Sequence, residues 1–352
     1  MNAAVTSRRA GQELVPELDR WRGPLVGSGQ SAALHKEWMH FCVALPGSSH
    51  GQLLLNVSRT SQVREGKVVS VPRFIALLER DGWRGRLDTG EAEDVRESSS
   101  GIDFAVGGNR ISWRSGSFHV SLGAPDFEVE LALTPRTLPT FPTSVSLGGA
   151  RSLYWVAMPR VEASGAVRVG GERLGLEGAL GYHDHNWGLF EWGKDLSWVW
   201  GYLHPRDARN PWTVVIARVS DASGERTLAR SALLWKGPHL VRAFQSREVS
   251  LQTSGRHVRA RPFTLPPIAQ LLLPDFSAEV PERCHVSASG AEDSLDVRFE
   301  SRSRARIAVP SDVDPFGLMI LDEVCGDAQV RGSVGSELFE FTGPAMMEFA
   351  RA

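Results

Sequence analysis

Apolar residues in this chain recur on alternate positions in many short runs, and no run of convincing length keeps a 3.6-residue period. That pattern predicts strands. The first is His35 to Val43, stopped by Pro46-Gly47, with Leu53 to Ser58 as its hairpin partner. Residues 68–79 read both ways: Val68–Val71 are extended, whereas Phe74–Glu79 would suit one helical turn. Strands follow at Ile102–Val106, Ile111–Trp113, Phe118–Leu122 and Phe127–Leu133. Residues 134–150 hold Pro135, Pro139, Pro142 and Gly148-Gly149 and are by composition the best linker. Tyr154–Val161 and Val167–Gly178 then read as paired strands. After a turn at Gly193-Lys194-Asp195 come Leu196–His204, Trp212–Val219 and Thr227–Trp235. The last third repeats this grammar at Val249–Gln252, His257–Phe263, His285–Ala288, Ser294–Phe299, Ala305–Val309 and Gly317–Leu321. Gln329–Arg331, Glu337–Phe341 and Met346–Phe349 close the chain. So many antiparallel strands predict an all-β protein, with closed barrels as the way to remove exposed edges.

Composition bounds this picture without changing it. At 352 residues the chain suggests two domains, and 42% hydrophobic with 23% charged residues makes it globular. Thirty-five glycines and 20 prolines suit a turn-rich β protein. A formal net charge of −2 gives no electrostatic case for nucleic acid. Cys42, Cys284 and Cys325 fit neither a disulfide framework nor a paired-cysteine metal site. Met1 to Leu14 lacks the apolar core of a secretory signal, and residues 1–30 read as a loosely held polar lead-in. The longest apolar region, Phe263–Pro274, is interrupted by Pro266-Pro267 and too short to span a bilayer. The expectation is a cytoplasmic protein, with peripheral membrane contact open to it for collecting a lipophilic substrate and no obligate protein partner implied.

The candidate chemistry lies in one stretch, Gly181-Tyr182-His183-Asp184-His185-Asn186-Trp187-Gly188. If extended, it puts Tyr182, Asp184 and Asn186 on one face and His183, His185 and Trp187 on the other. The bracketing glycines suggest bends or close backbone approach. All three tyrosines, and Trp187, Trp192, Trp198 and Trp200, fall between 154 and 202, so large π surfaces surround these ionisable groups. Trp198, Trp200, Tyr202 and His204 would share one strand face. Such surfaces suit a long unsaturated ligand or a transient cation. Equally, the tryptophans could plug a barrel end and the histidines hydrogen-bond there.

This run is similar to the signature of a two-domain lipocalin-like family that includes carotenoid 1,2-hydratases, attachment-type lipocalin-like proteins, kievitone hydratases and lipocalin-like Diels–Alderases. Glu37-Trp38 resembles the family's early aromatic strand, although Met39 and His40 replace its usual aromatic pair. Leu321–Gly326, Phe339–Gly343 and Glu348-Phe349 resemble its closing strands. The resemblance implies two tandem lipocalin-like antiparallel β-barrels, at 31–192 and 193–352, with the proline-rich 134–150 becoming a long loop.

Cofactor-free hydration of an alkene needs a proton donor, an aromatic environment that tolerates a cation, and a base to activate water. Asp184 is the first candidate acid, since burial among aromatics disfavours an ionised carboxyl. The competing role is a carboxylate that locks the loop through backbone N–H groups. His185 would relay the proton or activate water, with Tyr182 and Tyr202 orienting either group. Trp187, Trp198 and Trp200, with His183, Trp38 and Glu37, would line the substrate site. His183 and His185 have a spacing found in β-sheet metal sites, but a third ligand would have to come from afar, such as His204 or Glu37, and nothing in the sequence nominates it, so no metal and no cofactor are expected. Gly47-Ser48-Ser49-His50-Gly51 matches a hydrolase elbow in spelling, yet lies between antiparallel strands where that elbow cannot form. Three functions stay open: hydration of a terminal double bond of an acyclic carotenoid, cyclisation of a polyene or polyketide, and non-catalytic carriage of a lipophilic ligand.

Overall fold

The computed structural model describes residues 13–23, 32–91, 95–97, 101–141, 144–257, 262–269, 280–314 and 316–351. It is almost wholly antiparallel sheet and divides into two compact units. The first comprises residues 1–46, 53–76 and 85–190; the second comprises 47–52, 77–84 and 191–352.

Each unit is a meander whose first and last strands pair. In the first, His35–Ala44 lies antiparallel to Ala179–Leu189, with Phe41 opposite His183 and Met39 opposite His185. Arg151–Val169 flanks Ala179–Leu189 on its other side. In the second, Ser197–Leu203 lies between Trp212–Ser220 and the closing strand Glu337–Arg351. Pairing the chain-terminal strands of a meander satisfies backbone groups that a sheet edge would leave exposed.

Several expected strands are pieces of longer ones. Arg151–Val169 runs unbroken for 19 residues, bent by a bulge between Met158 and Val161. Asp293–Pro310 and Leu318–Val334 likewise each join segments expected as separate strands, with a bulge between Ser301 and Ser303. A bulge lets a long strand curl without stopping, a property that local composition does not reveal. The ambiguous 68–79 region is the strand Lys67–Glu79, with no helical turn. Within 134–150, Ser144–Gly148 pairs with Arg151–Tyr154, and Thr140 bridges Ala157. Part of the strand expected at His257–Phe263, and the end of the apolar region 263–274, lie outside the described residues.

The largest departure is the lead-in. Residues 13–18 form a helix, and Val15, Asp19 and Trp21 are buried. Trp21 packs on Phe104 with ring centroids 4.6 Å apart, and Phe104 in turn stacks near Phe74. Residues 13–23, the described part of this lead-in, are therefore anchored in the first unit's core, not loosely held. Among the described residues no helix is long and apolar enough to cross a membrane.

Candidate functional site

The strand Ala179–Leu189 separates its polar side chains into two buried clusters. Gly181 and Gly188 permit this, because each backbone runs against a neighbour. A Cβ on Gly188 would lie 2.1 Å from the Ser152 carbonyl oxygen, and one on Gly181 2.4 Å from that of Cys42. Alternation then sends Tyr182, Asp184 and Asn186 one way and His183, His185 and Trp187 the other.

On the first face the Asp184 carboxylate is the hub. Its Oδ2 accepts from the Tyr182 hydroxyl at 2.7 Å and from Trp155 Nε1 at 3.1 Å, and its Oδ1 accepts from Asn186 Nδ2 at 2.8 Å. These donors are side chains, so Asp184 is not simply a backbone lock. Trp155 was absent from the sequence candidates. Its register opposite Asn186 was the available signal, but it depends on knowing which strands pair. His40 and Trp38 sit opposite Asp184 and Asn186 on the neighbouring strand. His40 Nε2 lies 2.9 Å from Cys42 Sγ, and burial lowers its pKa to about 3, so this imidazole is neutral. Trp38 meets Phe190 edge-on at 6.3 Å.

The second face is ionic. Asp19 and Glu37, both fully buried, bracket His185: Nδ1 is 3.0 Å from Asp19 Oδ1 and Nε2 is 2.9 Å from Glu37 Oε1. Both ring nitrogens face carboxylate oxygens, so both must carry hydrogen to donate, which requires the imidazolium. Burial opposes that charge, but the two carboxylates outweigh it and raise His185 to about 9. Glu37 also accepts the backbone N–H groups of Arg22 at 2.6 Å and Gly23 at 3.0 Å. Although burial acts to raise it, His185, His35 and the Arg22 backbone N–H hold it near 2. Asp19 is lowered for the same reason, burial again being overcome by the two histidines. His183 Nε2 is 2.8 Å from Asp19 Oδ2, Nδ1 is 3.0 Å from the His40 carbonyl oxygen, and its ring stacks on Phe41 at 4.1 Å. Trp187 is covered by the Arg22 guanidinium, 4.6 Å from the ring centroid, and stacks on Tyr154 at 5.7 Å. A residue expected to face a substrate cation thus already faces one from its own chain.

The structure therefore brings Tyr182 to Asp184, but directs His185, His183, Trp187 and Glu37 to the opposite face. Asp19, which completes the ionic cluster, was missed. Val15, Leu18 and Trp21 at three-residue intervals were the trace of its short amphipathic turn.

Trp198, Trp200 and Tyr202 belong to the second unit. Tyr202 donates to Gln52 Oε1 at 2.7 Å, and its ring lies 5.0 Å from that of His204. Trp200 is cross-strand from Glu348, and Trp198 Nε1 donates to Glu348 Oε1. Glu348 is in turn cross-strand from buried Glu323, to which it hydrogen-bonds. Burial pushes the Glu348 carboxyl up, and two contacting carboxyls are best satisfied by one shared proton. Among the described residues no group of three or more His, Cys, Asp or Glu side chains is arranged to hold a metal ion.

Two antiparallel meanders of this connectivity, placed in series, decide the architecture. The chain has the tandem lipocalin-like fold. It aligns with a protein from Nitrosomonas europaea provisionally named ATTH, at 14% identity and TM-score 0.61, covering 94% of this chain and 98% of that one. It aligns with kievitone hydratase from Nectria haematococca at 13% identity and TM-score 0.56, covering 95% of both chains. It also aligns with CghA in complex with Sch210972, at 14% identity and TM-score 0.60, covering 90% of this chain and 88% of that one. At the level of sequence, no family model and no curated protein matches this tandem lipocalin-like chain.

Proposed function

We propose that this protein is an enzyme that adds water, without a cofactor, to a carbon–carbon double bond of a lipophilic unsaturated substrate, and that Asp184 is the acid. The observation that carries this reading is the buried Asp184 carboxyl, held by Tyr182, Trp155 and Asn186. A carboxylic acid that protonates carbon must leave a stable carboxylate. Three aligned side-chain donors supply that stabilisation without solvent reorganisation. The indole of Trp155 and the neighbouring Trp38 bring π faces to the same sheet face. A kievitone hydratase among the proteins of this fold supports hydration as the reaction class.

For a terminal double bond of an acyclic carotenoid, the finer form of the proposal, Asp184 gives its proton to the less substituted carbon as the π bond breaks. The resulting tertiary cation is captured by water. The oxonium then loses a proton to the Asp184 carboxylate, regenerating the acid and leaving a tertiary alcohol. Tyr182 acts as a positioning residue through its bond to Asp184 Oδ2. His185 takes no part in this form of the mechanism, since both its nitrogens are committed on the other face.

Incubation of purified protein with lycopene or neurosporene in heavy-oxygen water should yield labelled tertiary alcohol. Asp184→Asn should lower turnover by about a thousandfold while leaving substrate binding nearly unchanged. Unaltered turnover in that variant would remove Asp184 as the acid. A cyclised, unlabelled product from a linear polyene or polyketide would replace hydration by cyclisation, and binding without turnover would leave a carrier.

A further inference from the structure

The core face of the second unit changes character along its strands. Much of it is apolar, packed from residues such as Val199, Ile216, Leu234, Phe244, Val286 and Val297. Towards one end it becomes cationic. Arg304 is cross-strand from Val324, and Arg306 from Asp322. Asp322 is cross-strand from Phe349, Phe349 from Val199, and Val199 from Arg218. Val324, Phe349 and Val199 all belong to the apolar core, so Arg304, Arg306, Asp322 and Arg218 share its face.

The charges on this face do not balance. Asp322 is fully buried, and both its oxygens are taken. Arg306 Nε donates to Oδ1 at 2.9 Å, while Arg306 Nη2 and Arg351 Nη2 donate to Oδ2 at 3.2 and 2.8 Å. Arg304 is only 4% exposed, yet none of its three side-chain nitrogens has a hydrogen-bond partner among the described residues. Arg218 Nε is buried without one as well. Burial and the charges of Arg306 and Arg351 push the Arg304 guanidinium below its ordinary range, but a guanidinium stays ionised in proteins. Leaving all its donors unmet inside a fold is costly, and a planar fork of N–H groups is matched by an oxyanion that accepts two at once.

We propose that Arg304, Arg306 and Arg351 form a binding site for a phosphate group, either inorganic phosphate or the terminal group of a small phosphate ester. Three guanidinium groups against the single Asp322 carboxylate favour a dianion over a monocarboxylate. Arg304 supplies the fork, and Asp322 holds Arg306 and Arg351 in place beside it. The strand Phe263–Leu265, lying parallel to Ala305–Ile307, borders Arg304 and Arg306 along the chain. Arg351, with its side chain 21% exposed, is the part nearest solvent. This site is independent of the Asp184 chemistry.

The test uses full-length protein in phosphate-free buffer, titrated calorimetrically with inorganic phosphate, phenyl phosphate and acetate at matched ionic strength. One phosphate per chain is expected, with acetate much weaker. Arg304→Met should weaken phosphate binding by about tenfold to a hundredfold. It should also leave the protein without ligand as stable as wild type or more so, because it removes an unpaired buried cation. Arg298→Gln, an exposed change outside the site, should bind as wild type does. Tighter binding of phenyl phosphate than of inorganic phosphate identifies an ester; the reverse identifies the free ion. Phosphorus NMR of wild-type protein, read as saturable line broadening, gives the same answer if Arg304→Met does not fold. No saturable phosphate binding by wild type, or equal binding by a soluble Arg304→Met, would overturn the site.

Discussion

Replacing Asp19 by asparagine tests whether the ionic cluster clamps the N-terminal segment into the first unit. The substitution keeps the shape but leaves His183 and His185 without the carboxylate that both contact. Its size follows from the titration of the neighbours. His185 rises from 6.5 to about 9 because, against its burial, it is held by bonds and charge from Asp19 and Glu37. That change corresponds to about 3 kcal/mol, shared between the two carboxylates. Breaking a buried pair by removing one partner costs about 3–5 kcal/mol, so about 3 kcal/mol is expected here because Glu37 remains. For a unit of this size that lowers the melting temperature by about 10 °C.

Scanning calorimetry near neutral pH should show the fall in one transition. Trypsin should cut faster after Arg20 and Arg22. The pH dependence makes the test specific. His185 has a raised pKa, so its contribution is complete below pH 6.5 and is lost as the pH rises through about 9. Glu37 has a depressed one, so its contribution is complete above pH 4.5 and is lost as the pH falls towards 2. Wild type should therefore gain most from the cluster between pH 4.5 and 6.5. The difference between wild type and Asp19→Asn should shrink as the pH passes about 9. A variant that melts like wild type near neutrality, or a difference that ignores pH, would refute the clamp.

Gly188→Ala should destabilise the first unit by about 3 kcal/mol or prevent soluble expression, since its Cβ meets the Ser152 carbonyl; the unfolding midpoint checks this. Burial pushes the Glu348 carboxyl up, so its protonated-carboxyl infrared band should persist to higher pH than that of an ordinary glutamate and disappear in Glu348→Gln; a titration that follows an ordinary glutamate would refute this.

The all-β class was written in the alternation of apolar residues, because a period of two is a local property that survives without tertiary context. The two faces of the central strand were legible for the same reason: once 181–188 is extended, Tyr182 and Asp184 must part from His183 and His185. The glycine brackets also announced themselves, although only strand pairing showed Ser152 and Cys42 to be the backbones they admit. What each face meets was decided by contacts between distant residues. Asp19 reaches His183 across 164 positions, and Glu37 reaches His185 across 148. Trp198 finds Glu348 across 150. Those pairings turn a histidine that resembled a proton relay into a buried cation between two carboxylates. Register likewise gives Asp184 three side-chain donors and places the buried Glu348 carboxyl beside an indole. Protonation depends on which charges and dipoles lie within a few ångströms, and in a meander of long strands that neighbourhood is set by register and closure rather than by the residues next along the chain.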